Sequence, residues 1–240
     1  QGFTIDGHVG EEEVRESFID KCVYVEGSGA PTSLQYQGHD VTSSLIGFVM
    51  NDLSIKNCGG ECVRLKNFVT NAELTDNVIE YCGVYDFRFD LDGGKNGEAI
   101  YVGTSSTQWT DGPDGSNFNI ISRNVMSPHG NECIDVKESA TGNIIEDNDC
   151  ADQMDYDSGC YGSRGSGNVF RRNRGSNCAG AGIRLGGWTV DGVTYGRDNE
   201  VYDNEFDTTG RGAINAQETP QGLICGNKCD EGTGLCGIYG

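Results

Sequence analysis

An apolar residue followed three positions later by Asn recurs along the chain, and few folds can use such a pattern. It appears as Leu74/Asn77, Ile121/Asn124, Ile145/Asn148, Phe170/Asn173, Val201/Asn204 and Ile224/Asn227. From Asn124 onward the asparagines lie 24, 25, 31 and 23 residues apart, and the gap from Asn77 to Asn124 holds a polar loop rich in Gly, Ser and Thr. One residue type returning at such a period marks stacked coils.

A second column runs in phase with the first: Glu61–Lys66, Glu98–Gly103, Glu132–Lys137, Gly159–Arg164, Ala181–Gly186 and Gly212–Gln217. Its third positions are Val63, Ile100, Ile134, Tyr161, Ile183 and Ile214, and its fifth are Leu65, Val102, Val136, Ser163, Leu185 and Ala216. Alternation with polar residues is the period of a strand buried on one face. Two strands per coil, joined by Gly/Asn/Asp turns, predict an all-β, right-handed parallel β-helix filling residues 1–240 as one domain. The in-register asparagines are expected to bond coil to coil through stacked amides. A β-sandwich, the rival fold, does not need like side chains at one phase. Helical periodicity is confined to Glu11–Asp20, a candidate N-terminal cap helix.

Hydrophobic content of 35% suits a narrow core, and no run is long enough to span a membrane. Eleven Cys imply an oxidising compartment, and the odd count leaves at least one without an intrachain partner. The chain opens at Gln1 without a leader, as expected of a secreted, extracellular protein after signal-peptide removal. There is no Asn-x-Ser/Thr sequon. A net charge of −20 repels nucleic acid and anionic membranes at long range, so neither is an expected partner, and the protein is expected to be a monomer. The same charge opposes a polyanionic ligand. Against that, Arg164, Arg171, Arg172, Arg174, Arg184 and Arg197 gather into a short stretch. They are expected to form a local basic band once salt screens the rest beyond about 8 Å.

Stacking turns the columns into chemistry, because residues at one phase sit about 4.8 Å apart on successive coils. Glu98 and Glu132 then repel by on the order of 1 kcal/mol in water and more at low dielectric, unless a hard cation lies between them. Ca²⁺ is the expected ion, with Glu98, Glu132 and Asn131 as ligands and Asn96 near enough to assist. Lys137 lies one coil below Arg164. That juxtaposition predicts a lowered Lys137 pKa and a competent general base, with pairing to Asp135 or Glu138 as the alternative. A cation, a base and a further positive group together meet the needs of uronate β-elimination. The C5 proton of a uronate is acidic only once its carboxylate is neutralised.

Glu132-Cys-Ile-Asp-Val-Lys137, followed by Asn143-Ile-Ile-Glu-Asp-Asn148, resembles the core strand of β-helix polysaccharide lyases of the alginate lyase and chondroitinase B type. The resemblance covers roughly residues 96 to 175. It implies Glu132 as a Ca²⁺ ligand, Lys137 as the Brønsted base and Arg164 as its assistant, with Glu98 replacing an Asn ligand. Gly130 stands where that family has a second Glu, and Gly165 where its Arg is followed by His. Secreted β-helix proteins of unassigned role are also similar over Gly97–Gly103 and Ile134–Glu138.

Around this set, His129 is a candidate auxiliary acid or base, and Tyr101, pointing outward, a proton donor or sugar platform. Asp135, Arg184 and Trp109 are candidate substrate-binding residues. Trp109 lies in an insertion at 104–117, where loops wall a β-helix groove. Trp188 lies in another, and Tyr161 has an inward phase. The expected function is cleavage of an acidic, uronic-acid-containing polysaccharide by metal-assisted β-elimination. A C5-epimerase shares its first step. A non-catalytic carbohydrate-binding or cell-wall protein is the other class. A polygalacturonase-like hydrolase would need a Gly-His-Gly turn beside its Asp cluster, and only Asp155 and Asp157 occur together in a turn. An ice-binding face would need a Thr array that the columns lack.

Overall fold

Each coil is built from three strands, one more than the sequence predicts. The computed structural model describes residues 2–27, 32–36, 39–43, 45–89, 96–110, 112–229 and 238–239. Sheet I comprises Val49–Asn51, Glu73–Thr75, Ile120–Ser122, Ile144–Glu146, Val169–Arg171, Glu200–Tyr202 and Ile224–Cys225. Sheet II comprises Thr4–Asp6, Ser54–Cys58, Val78–Cys82, Val125–Ser127, Asp149–Ala151, Arg174–Cys178, Glu205–Thr209 and Lys228–Cys229. Sheet III comprises Val23–Glu26, Val63–Lys66, Ile100–Val102, Ile134–Val136, Gly159–Ser163, Ala181–Leu185, Ile214–Ala216 and Ile238–Tyr239. Strands pair in parallel with the same element of the next coil, as in Ile100↔Ile134, Ile134↔Tyr161 and Tyr161↔Ile183. The fold is a right-handed parallel β-helix.

The sequence pattern merges two of the three strands because only two residues separate sheets I and II. In each coil the first of the two takes a left-handed conformation: Asp76, Arg123, Asp147, Arg172 and Asp203 have φ between 55° and 59°. Asp tolerates that region better than most residues. The second is the recurring Asn. Its Nδ2 donates to the Oδ1 of the next Asn at 2.9 Å from Asn77 to Asn124, then at 3.0 Å to Asn148, 3.0 Å to Asn173, 3.0 Å to Asn204 and 2.9 Å to Asn227. A second ladder runs Asn119–Asn143–Asn168, each step 2.9 Å, at the turn into sheet I. Its signal is in the sequence: an Asn stands five residues before Asn124, Asn148, Asn173 and Asn204.

Inside, Val63, Ile100, Ile134, Ile183 and Ile214 stack with Tyr161, whose hydroxyl donates to the Arg174 carbonyl at 2.7 Å. Cys22–Cys58, Cys62–Cys82, Cys133–Cys150 and Cys160–Cys178 each tie the start of a sheet III strand to sheet II of the following coil. Closing loops of this length stabilises by about 3 kcal/mol each in the chain-entropy model. Cys229 is also disulfide-bonded, and Cys225 is free and exposed.

Two expectations are corrected, the N-terminal helix and the basic band. Glu11–Asp20 forms no α-helix, only a 3₁₀ turn at Arg15–Ser17. Among the described residues no helix is long and apolar enough to cross a membrane. The basic band does not form as a free surface. Arg172 binds Asp147 with two bonds of 2.8 Å, and Arg171 and Arg172 share Glu146 at 2.7 Å. Arg164, Arg184 and Arg197 face Glu138, Glu132 and Glu218.

Candidate active site

The outward face of sheet III carries the charged cluster. Its central column reads Arg64, Tyr101, Asp135, Gly162, Arg184 and Asn215 from coil to coil. Outward here does not mean exposed. The insertion at 104–117 and a hairpin pairing Thr189–Val190 with Val193–Thr194 both leave the chain where sheet III turns back to sheet I. They meet edge-on through Trp109 and Tyr195, 5.9 Å apart. Arg64, Tyr101 and Asp135 are therefore buried, and Lys137 is only 3% exposed.

Lys137 Nζ donates to Asp135 Oδ2, lies 3.6 Å from Glu98 Oε1 and sits 4.3 Å from the centre of the Tyr101 ring. From the coil below, the Arg64 guanidinium approaches the same ring at 4.4 Å. Glu132 Oε1 accepts from Ser158 Oγ and, at 3.3 Å, from Arg184 Nη2. Glu98 accepts from Asn131 Nδ2 at 3.4 Å and from the Gly97 N–H at 3.2 Å. Arg164, partly open to solvent, lies 3.8 Å from the buried Glu138, which accepts the Ser106 N–H at 3.1 Å. Glu138, expected as an alternative partner of Lys137, faces Arg164 instead, and Ser158 and Tyr195 are site residues that the sequence does not place. Only their coil register could have brought them in.

The charge states follow from this packing. Burial alone would lower the Lys137 pKa, but Asp135 and Glu98 outweigh it and hold the ammonium above its usual value. The expected lowering by Arg164 is overturned, because Asp135 and Glu98 act on the ammonium more strongly than the guanidinium does. Burial would raise Asp135, yet Lys137, Arg164 and Arg184 keep it low. Glu98 is pushed up to about 8, chiefly by burial and also by Glu132, against the pull of Lys137. Glu132 is raised by burial and by Asp135. Tyr101 is raised by burial.

The stability consequence has a definite sign. Glu98 holds its proton in the folded state up to about pH 8 and in the unfolded state only to about 4.5. Stability from this group is full below pH 4.5, falls by at most about 1.4 kcal/mol per pH unit between the two values, and is flat above. In EDTA, chemical denaturation from pH 5 to 9 should show this slope in the wild type and a shallower one in Glu98→Gln. Equal slopes would refute the assignment.

The donor set suits a hard cation. Carboxylate oxygens of Glu98, Glu132 and Asp135 lie within 4.8 Å of one another, all buried. Glu132 Oε2 and Asp135 Oδ1 have no hydrogen-bond partner. Gly162 leaves room above them, since a Cβ there would stand 3.0 Å from Asp135 Oδ1 and 3.2 Å from Glu132 Oε1. No side chain fits at Gly130, where a Cβ would come within 2.6 Å of the Cys82 carbonyl oxygen.

The remaining candidates lie elsewhere or do something else. His129 stacks on Tyr81 at 4.7 Å and lines a separate groove with Asp152, Met154 and Asn177, so it does not join the Lys137 cluster. The Trp109 indole N–H is taken by the Thr104 carbonyl at 2.9 Å, and the half-buried ring holds its loop against Tyr195. Trp188, 61% exposed, is the freer platform. Asp135 is fully buried against Lys137 and reaches only the Gly162 gap. Arg184 binds Glu132.

A disulfide-bonded β-helix with a buried acid–base cluster on one outer face is the class that fold and site define. Its backbone is similar to that of the alginate lyase from Paenibacillus sp. str. FPU-7, with a TM-score of 0.66 and 18% identity over 91% of this chain and 74% of that one. No protein-family model and no curated protein sequence matches the chain.

Proposed function

We propose that the protein is a secreted, monomeric lyase that cleaves an acidic, uronic-acid polysaccharide by β-elimination. The observation carrying this reading is the meeting of Lys137, Tyr101 and Arg164 with three carboxylates on successive coils, in a fold shared with an alginate lyase. Arg164, at the solvent edge, receives the uronate carboxylate and makes the C5 proton acidic. Lys137 takes that proton after releasing its own, and Tyr101, kept protonated by burial, supplies one to the glycosidic oxygen. Glu98, Glu132 and Asp135, with Asn131 alongside, would hold Ca²⁺, which would supply further neutralisation of the carboxylate. The disulfides suit an extracellular setting, and the acidic surface disfavours nucleic acid and membrane partners.

The burial of Lys137 favours one second reading, a non-catalytic carbohydrate-binding β-helix in which the cluster is structural. Incubation with alginate, pectate, glucuronan and glycosaminoglycans, in Ca²⁺ or EDTA, separates the two. At least one polymer should yield unsaturated uronate, detected by its ultraviolet absorbance. Polymer binding without product would establish the binder, and C5 inversion without chain scission an epimerase. Ca²⁺ at a hundredfold excess over its Kd should add about 2.7 kcal/mol of stability. An unchanged melting midpoint would remove the metal.

A further inference from the structure

A cleft of about 490 Å³ opens on the N-terminal side of the cluster, lined by Arg15, Lys21, Arg64, Tyr85, Asn96 and Gln108 among others. That volume is in the range of small-ligand sites. It adjoins the candidate active site, since Arg64 belongs to both the cleft wall and the Tyr101 stack.

The carboxylates around the cleft are already engaged. Glu61 is held by Lys21 at 3.1 Å and by Arg64 at 3.2 Å, Asp20 by Lys21 at 2.6 Å, and Asp86 accepts the Asn96 N–H at 2.9 Å. One spare donor and one cation are left over. Arg64, 7% exposed, has a buried Nε without a hydrogen-bond partner, while its Nη2 reaches Gln108 Oε1 at 3.1 Å. Arg15 is exposed, has no carboxylate partner among the described residues, and lies 4.0 Å from the centre of the Tyr85 ring. A planar cation stacked on a ring has lost rotamer freedom before a ligand arrives, and its fork matches a carboxylate.

We infer that this cleft is a second sugar subsite, binding the carboxylate of a uronate further along the same polymer, with Arg15 as its principal cation. It rests on the lyase reading and gives the substrate a direction: the chain lies along the helix axis, from the Lys137 coil toward the N-terminal coils. The enzyme is then expected to favour long chains over short ones.

Initial rates on size-fractionated alginate oligosaccharides, from the shortest cleaved oligomer up to polymer, test this in wild type, Arg15→Ala and Arg15→Glu. Arg211→Ala is the control, because Arg211 also stacks on a tyrosine, Tyr156, at 4.9 Å, but away from the cleft. Arg15→Ala should raise KM for polymer roughly tenfold, the worth of one carboxylate contact of about 1.4 kcal/mol. Arg15→Glu should raise it further, with kcat and the rate on the shortest oligomer unchanged. Equal losses at every length, no loss, or the same loss in Arg211→Ala would overturn the subsite while leaving the lyase intact. If wild type forms no unsaturated product from any uronate, the lyase reading fails and the subsite with it.

Discussion

Lys137→Ala is expected to lower kcat by about 10²- to 10⁴-fold, the usual contribution of a positioned proton-transfer group. It should also destabilise the protein by about 3–5 kcal/mol, because the fully buried Asp135 would lose its directly bonded counter-ion. The two effects can be separated. Lys137→Met with Asp135→Asn removes both charges and should recover most of the stability but none of the activity. Recovery of activity would show that the lysine is only a structural counter-ion. The wild-type pH profile adds a second check. Asp135 and Glu98 hold Lys137 protonated beyond its ordinary range, so the free base is scarce at neutral pH. If Lys137 is the base, kcat/KM should rise about tenfold per pH unit through neutrality and into the alkaline range. A flat profile would make it a fixed cation instead.

Asn148→Ala should be among the most destabilising single changes in the chain. Its Oδ1 accepts from both the backbone N–H and the side-chain amide of Asn124, each at 3.0 Å. Its own Nδ2 donates to the Ile121 carbonyl at 2.9 Å and to Asn173 Oδ1 at 3.0 Å. Truncation strands several buried groups on neighbouring coils, each costing about 1–3 kcal/mol when unsatisfied. A total loss of about 3–6 kcal/mol is expected by denaturant titration. Asn148→Asp keeps the acceptor but turns an unpaired carboxylate toward the Ile121 carbonyl and Asn173 Oδ1, and should be at least as destabilising as Ala. A loss below 1 kcal/mol for Ala would mean the ladder is decorative.

What could be read from the sequence was what repeats. Val63, Ile100, Ile134, Tyr161, Ile183 and Ile214 stand in the register that periodicity assigned them, and so do Glu61, Glu98 and Glu132. The third sheet was not legible, because strands such as Ile120–Ser122 and Val125–Ser127 are short and nearly contiguous. The Lys137 charge state is not legible for a different reason. Its sign depends on whether Arg164 or the pair Asp135 and Glu98 acts on it more strongly, and strand spacing gives the face but not how the side chains are turned. His129 was grouped with Glu132 by chain proximity, yet a coil corner lies between them. Insertions were visible as interruptions, but not that two of them meet over the site through Trp109 and Tyr195.

The asparagine ladder also separates what the protein recognises from how it folds. Asn148 and Asn173 are 25 residues apart and Asn173 and Asn204 are 31 apart, yet both amide contacts are 3.0 Å. The extra residues are looped outward at the turn from sheet III to sheet I, beside the cluster, without disturbing the spine. Loops at this corner are therefore open to exchange. A graft of a longer or differently charged 104–117 or 186–198 segment should change which polymer is accepted while the coils beneath keep their register, making this corner the natural place for specificity to evolve.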